Sequence, residues 1–230
     1  MRKQPTPMPS ERSGTPTRSE SPEARSVFSE EDRPLDPDSS SAFWRNAPVI
    51  LLTRNAYGET VAGLPTEVRS RWTRHNLYVI FSCPYEILSL KPDPVTARET
   101  NRLWEWDVAE VFIRPDDANI RRYKEFEVSP QGEWVDVDVN LDSPHHEEGW
   151  VWTSGMEVAS RIDRDHKIWN GAMRIPFSSI DPRPATAGNV LRANFFRWCA
   201  LDRTSVAWIP TMKPTFHVPE VFGALLLDNG

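Results

Sequence analysis

Cysteine is nearly absent from this 230-residue chain, which holds only Cys83 and Cys199. Two isolated thiols build neither a disulfide scaffold nor a metal-ligand or redox pair. Both read as buried thiols, with one bridge between them as the alternative. No stretch of ~18 apolar residues occurs, so no transmembrane helix is predicted. The first residues include Arg2 and Lys3 but lack the apolar stretch of a secretory signal, and as written the chain reads as soluble and cytoplasmic. Basic residues are in the minority, 27 against 33 acidic, for a net charge of -6. Without a basic run to follow a phosphate backbone, nucleic acid is not an expected partner. Nucleotide phosphate loops, dinucleotide fingerprints and the Gly-x-Ser-x-Gly elbow are also missing, and no long amphipathic helix is legible.

Proline and tryptophan are present, and unevenly placed. Seven of the 21 prolines fall in residues 1–40, while all ten tryptophans lie later, beginning with Trp44. The first forty residues are otherwise mostly Ser, Thr, Arg, Glu and Asp. Such a segment buries too little apolar surface to offset the entropy of ordering, so residues 1–40 are expected to form a disordered tail. Val27 and Phe28 are its one apolar spot, where a short docked helix would be the exception. Residues 41–230 are expected to form a single domain.

From Ala42 onward a period of two dominates, with turn residues at the spacing of antiparallel sheets. Strands are expected over residues 67–73, 77–83, 107–114, 124–128, 133–140, 156–162, 168–175, 191–201, 206–209 and 223–227. Residues 133–140 alternate most plainly: Val135, Val137 and Val139 point one way, to the core, and Trp134, Asp136 and Asp138 the other, to water. Asp163, Arg164, Asp165 and His166 should turn one hairpin, and Pro176, lacking an N–H, should end its ladder. The fold class expected is all-β, an antiparallel, jelly-roll-like β-sandwich.

Several blocks occur in a recognisable order: NLYVIF at 76–81 after Trp72, Thr73 and Arg74, LWEWDVAEVFIRP at 103–115, and YKEFEVSPQGEWVD at 123–136. MRIPFSSI at 173–180, LRANFFR at 191–197 and FHVPEVFGALLL at 216–227 follow. Together they resemble the family 9 carbohydrate-binding modules and their bacterial relatives, over roughly residues 64–230. The resemblance implies a β-sandwich that holds sugar rings between aromatic side chains and does no chemistry on them. It places Trp104 at the family's first stacking position, Phe216 at the second, and Glu110 at a carboxylate that accepts sugar hydroxyls. Two positions depart from the pattern. Glu127 stands where the best-known sugar binders have arginine, and Ala172 where a hairpin strand usually carries glutamate. No cofactor is called for, although relatives sometimes hold a structural calcium in their loops, and many are extracellular.

The chemistry fits the resemblance. The C–H face of a pyranose stacks on an aromatic plane, and its hydroxyls want carboxylate, amide or guanidinium partners. Each candidate also has a plain structural reading: a salt bridge with arginine for Glu110, core packing for Trp104 and Phe216. Asp136 and Asp138 lie about 7 Å apart on one strand, but carboxylates on one strand cannot flank a glycosidic bond from opposite sides. His145, His146, Glu147 and Glu148 sit in a polar loop without the spacing that converges metal ligands. Two readings therefore stand: a sugar-binding module whose partner is a mono-, oligo- or polysaccharide, or an interaction scaffold that kept the fold and lost its ligand. A glycoside hydrolase is a distant third.

Overall fold

The computed structural model describes residues 22–230, an all-β arrangement of twelve strands with two single-turn helices, α1 (Ala42–Arg45) and α2 (Phe177–Ile180). The strands are β1 (Glu23–Phe28), β2 (Val49–Leu52), β3 (Thr66–Trp72), β4 (Asn76–Pro84), β5 (Val108–Pro115) and β6 (Arg122–Val128). They continue as β7 (Trp134–Asn140), β8 (Glu157–Asp163), β9 (Ile168–Pro176), β10 (Val190–Cys199), β11 (Thr204–Ala207) and β12 (Gly223–Asp228). One path of hydrogen bonds runs β7-β6-β5-β10-β12-β1-β3-β4-β9-β8, with β11 beside β10 and β2 beside β3. No helix among the described residues is long and apolar enough to cross a membrane.

The ends of this path fold over one another. Phe81 of β4 meets Phe195 of β10 edge-on at 6.2 Å between ring centroids. A methyl group on Gly171 of β9 would come within 2.8 Å of Val128 on β6. Between the two halves lies the main core, including Val79, Val111, Phe126, Trp169 and Leu225. The outer face of the β7-β6-β5-β10 half carries a second cluster around Phe112, Tyr123, Val137 and Phe196. On the outer face of the other half, α1 contributes Trp44 to a third, with Tyr78, Ile80 and Ala172. Cys83 and Cys199 are buried and unpaired, and burial pushes the Cys83 thiol up to about 12.

Ten of the twelve strands lie where the alternation predicts, with ends shifted by a residue or two. The β6–β7 turn closes with Ser129 N–H donating to Glu133 O at 2.9 Å, and Gly132 takes a φ of 89°, where a side chain would be strained.

Three expectations are corrected. The disordered tail does not extend to residue 40, because Glu23–Phe28 forms β1 and fills the gap between β12 and β3. Small side chains hid this strand: Ala24 and Ser26 are its buried residues, and Ser26 Oγ lies 2.8 Å from Ser70 Oγ. Asp32 fixes the chain that follows, accepting from Thr73 Oγ1 at 2.6 Å and Asn76 Nδ2 at 2.8 Å. The part of the expected tail in residues 1–21 lies outside the described residues. Secondly, the sheet is not wholly antiparallel, since β1 runs parallel to both its neighbours. Thirdly, the faces of β7 differ from the reading of core against water. Val135, Val137 and Val139 are buried, but in the outer cluster. Asp136 is fully buried on the opposite face, accepting from the backbone N–H of Ser154 at 3.1 Å and from its hydroxyl. Trp134 and Asp138 are partly exposed, and Asp138 pairs with Lys124 at 2.7 Å.

Candidate functional site

Alternation along four neighbouring strands builds the floor of a cavity on the outer face of the β7-β6-β5-β10 half. Across one row Val135, Glu127, Glu110 and Phe196 stand opposite one another. Across the next stand Val137, Glu125, Phe112 and Asn194. Each row presents its side chains to the same face, because strand neighbours in register share an orientation. The cavity above measures about 870 Å³.

Its walls come from connections. The 3-10 turn Leu103–Glu105 drives Leu103 into the outer cluster and leaves Trp104 half-buried at the cavity edge. Asp107 pins that turn, accepting from Ser89 N–H at 3.1 Å and Ala200 N–H at 2.8 Å. Trp198 extends from β10, and Trp150 from the 3-10 turn His146–Val151. Phe216 lies flat on Phe196, with centroids 4.3 Å apart and planes 8° from parallel. Beside it, the Tyr123 hydroxyl and His217 Nδ1 are 2.5 Å apart. Burial, helped by nearby His146, lowers His217 to about 4, while burial pushes the Tyr123 phenol far up. At neutral pH a protonated phenol and a neutral imidazole therefore share this hydrogen bond.

The three residues singled out from the sequence, Trp104, Glu110 and Phe216, all line this one cavity. Glu110 makes no salt bridge among the described residues, so the arginine pairing considered for it is absent. Instead it faces Glu125 and Glu127. The three carboxylates are 3 %, 5 % and 0 % exposed, and their oxygens lie within 4.8 Å of one another. Burial first, and mutual repulsion second, raises Glu110 and Glu127 well above the ordinary carboxylate value, and burial takes Glu125 to about 7. Among the described residues the one hydrogen-bond contact of Glu127 is with Glu125, made when one of the two carries a proton, and no other donor reaches its oxygens.

Other expectations part from the site. Ala172 belongs to the cluster under α1 on the far side of the molecule, so its side chain has no bearing on this cavity. Asp136 faces away from the cavity, and Lys124 occupies Asp138, so the pair offers no acid and base to a shared bond. His146 lies edge-on to His217 at 4.4 Å while His145 is exposed, and the loop they share does not converge on an ion. Among the described residues the only cluster of metal-ligand spacing is the glutamate trio. Glu125, Trp150, Trp198 and His217 were missed. Tyr123, Glu125 and Glu127 alternate in the sequence, a signal for one shared face, but which strand lies opposite them is a matter of register.

No curated protein matches the chain significantly. Solved structures do match in fold. One is of a proposed carbohydrate-binding protein from Bacteroides uniformis, 17% identical, with TM-score 0.69 over 90% of this chain and 100% of that one. Two more are of a carbohydrate-binding module of family 9 from Caldicellulosiruptor kristjanssonii, both 13% identical. Its cellotriose complex has TM-score 0.63 over 91% of this chain and 95% of that one. Its glucose complex has TM-score 0.61 over 90% and 96%. Residues 36–230 match the family described as carbohydrate family 9 binding domain-like, and the chain belongs to that family.

Proposed function

We propose that this chain binds a mono- or oligosaccharide without altering it, in the cavity on the outer face of β7-β6-β5-β10, as part of polysaccharide breakdown or sensing. Trp104 and Phe216 lie against the faces of a sugar ring, and Glu110 accepts its hydroxyls. The observation that carries the reading is that one open cavity gathers all three side chains, in a chain of this family. A solved neighbour holding cellotriose and glucose adds support. Aromatic faces and carboxylates are the two chemistries a pyranose calls for. The fold is read as a sandwich whose layers are the two halves of the sheet, bridged by β12 and β1, which leaves that outer face free. Phe216 is braced from behind by Phe196 and turns its other face to the ligand.

Calorimetric titration of the wild type, Trp104→Ala and Glu110→Gln with neutral, N-acetylated and amino mono- and oligosaccharides tests this, with thermal melts alongside. Trp104→Ala is expected to weaken binding by about 1–3 kcal/mol, the range for a truncated aromatic anchor, with little change in melting temperature. Glu110→Gln weakens it as well, because an amide nitrogen puts donors where an oxygen accepted. The competing reading is a scaffold that binds no sugar, and the flat stacking of Phe216 on Phe196 is the observation in its favour. It replaces ours if no saccharide binds the wild type and Trp104→Ala melts far earlier.

A further inference from the structure

Glu110, Glu125 and Glu127 are held together by the backbone ladder. Glu110 stands directly opposite Glu127, and Glu125 opposite Phe112 in the next pair, so their Cβ atoms cannot separate without unpairing β5 from β6. Carboxylates this close in a low-dielectric site repel strongly. None of the three pairs with arginine, lysine or histidine among the described residues. Among the described residues no donor other than Glu125 reaches either oxygen of the fully buried Glu127. Glu127 lies behind Glu110 and Glu125, which line the cavity, and buried carboxylates without a donor want one from whatever enters it.

The surroundings say which kind. A calcium ion asks for six to eight oxygens; besides these glutamates the two floor rows hold Val135, Val137, Phe112, Phe196 and Asn194, whose amide is already bonded to the backbone of Phe195 and Ile209. An ammonium group asks for three acceptors. Three carboxylate oxygens within 4.8 Å of one another match that demand. The walls are indole and phenyl, good neighbours for an organic cation and its ring. About 870 Å³ is far more room than an ion needs. At the rim, Glu147 and Glu148 face Arg203, while Arg102 is paired with Glu105 at 2.7 Å and Glu147 lies 3.9 Å from His146.

We infer that the ligand is an amino sugar, its ammonium group seated among Glu110, Glu125 and Glu127 and its ring against Trp104 and Phe216. The inference rests on the carbohydrate-binding reading and narrows it to a sugar class. Three β-1,4-linked trimers isolate the claim because they differ only at C2: cellotriose carries a hydroxyl, N,N′,N″-triacetylchitotriose an acetamide, and the glucosamine trimer an ammonium. Calorimetry on the full chain should show the glucosamine trimer binding at least about tenfold tighter than either of the others. Glu127→Gln and, separately, Glu125→Gln should shrink that preference to less than about threefold, with melts confirming that each variant is folded. Equal affinity for cellotriose and the glucosamine trimer overturns the inference and leaves the carbohydrate reading standing. A preference that persists in both folded variants overturns it too, since the amine is then recognised elsewhere. Binding abolished by EDTA and restored by calcium chloride assigns the trio to a metal instead. If none of the trimers, nor free glucosamine or galactosamine, binds the wild type, the carbohydrate reading fails together with the inference.

Discussion

At the scale of single residues, the glutamate trio links the site to stability. Burial raises the folded-state pKa of Glu110, Glu125 and Glu127 above that of the unfolded chain, Glu125 to about 7. The unfolded chain releases these protons from about pH 4.3 upward, while the folded state keeps them. Stability therefore falls as pH rises through the window between the two pKa values, by about 1.4 kcal/mol per pH unit for each proton retained. His217 works in the opposite sense. Its folded pKa is lowered to about 4, so it costs stability as pH falls below about 6.5. Above about pH 6.5 the histidine contribution is constant, and Glu99, raised to about 7 by burial and the nearby Asp136 charge, adds a fall of the same sign as the trio. Without ligand, the melting temperature is expected to drop between pH 6.5 and 8, and Glu127→Gln to be the more stable protein at pH 8 by about 1–3 kcal/mol, the cost of an unsatisfied buried group. A Glu127→Gln variant that melts below wild type at pH 8 would show that the carboxylate is already satisfied in the folded protein. Trp104, Glu110 and Phe216 could be named from the sequence because ordered blocks carry them. Glu127 could be marked only as a departure from an arginine position, and Glu125 not at all, because their meaning comes from standing beside Glu110 across a strand pair, and strand register is not written in one strand alone.

At the scale of elements, the alternation of large apolar side chains made ten strands legible. It failed for β1 and β2. In β1 the buried positions are Ala24 and Ser26, which carry little apolar signal. Its parallel partners β12 and β3 lie at opposite ends of the chain, Glu23 pairing with Ala224 and Phe28 with Trp72. A strand made by such distant pairings cannot be seen through local periodicity. Its place in the sheet predicts its importance. Removing residues 1–28 would leave the edge of β12 and the Arg71–Trp72 end of β3 unpaired and expose the Trp72 ring against which Phe28 packs at 4.6 Å. That truncation is expected to lower the melting temperature well below that of a chain lacking only residues 1–21, as read by circular dichroism. Equal melts would mean that β1 adds nothing to stability and that the expected tail boundary near residue 40 was functionally right.

At the scale of the whole molecule, core and cavity occupy opposite faces of the same four strands. Phe126 and Val128 of β6 face the main core, whereas Tyr123, Glu125 and Glu127 face outward. Damage to one face should therefore reach the other only weakly, since well-separated sites act nearly independently. Gly171 offers the test. It lies where β9 crosses β6, and an added Cβ would approach Val128 Cγ1 to 2.8 Å and the Trp169 ring to 2.9 Å. Gly171→Ala overpacks this contact and is expected to destabilise the fold by about 1–3 kcal/mol. The Val128 side chain has its own face of β6 on which to yield, and the ladder pairs Glu110 with Glu127 and Glu125 with Phe112 are not touched by the change. Saccharide affinity at 25 °C should then stay within about twofold of wild type, as expected for uncoupled sites. Denaturant unfolding and calorimetry on the same sample read both quantities. Loss of affinity in parallel with stability would mean that the cavity depends on how closely the two halves are packed, and that the outer face is not the independent platform proposed for it.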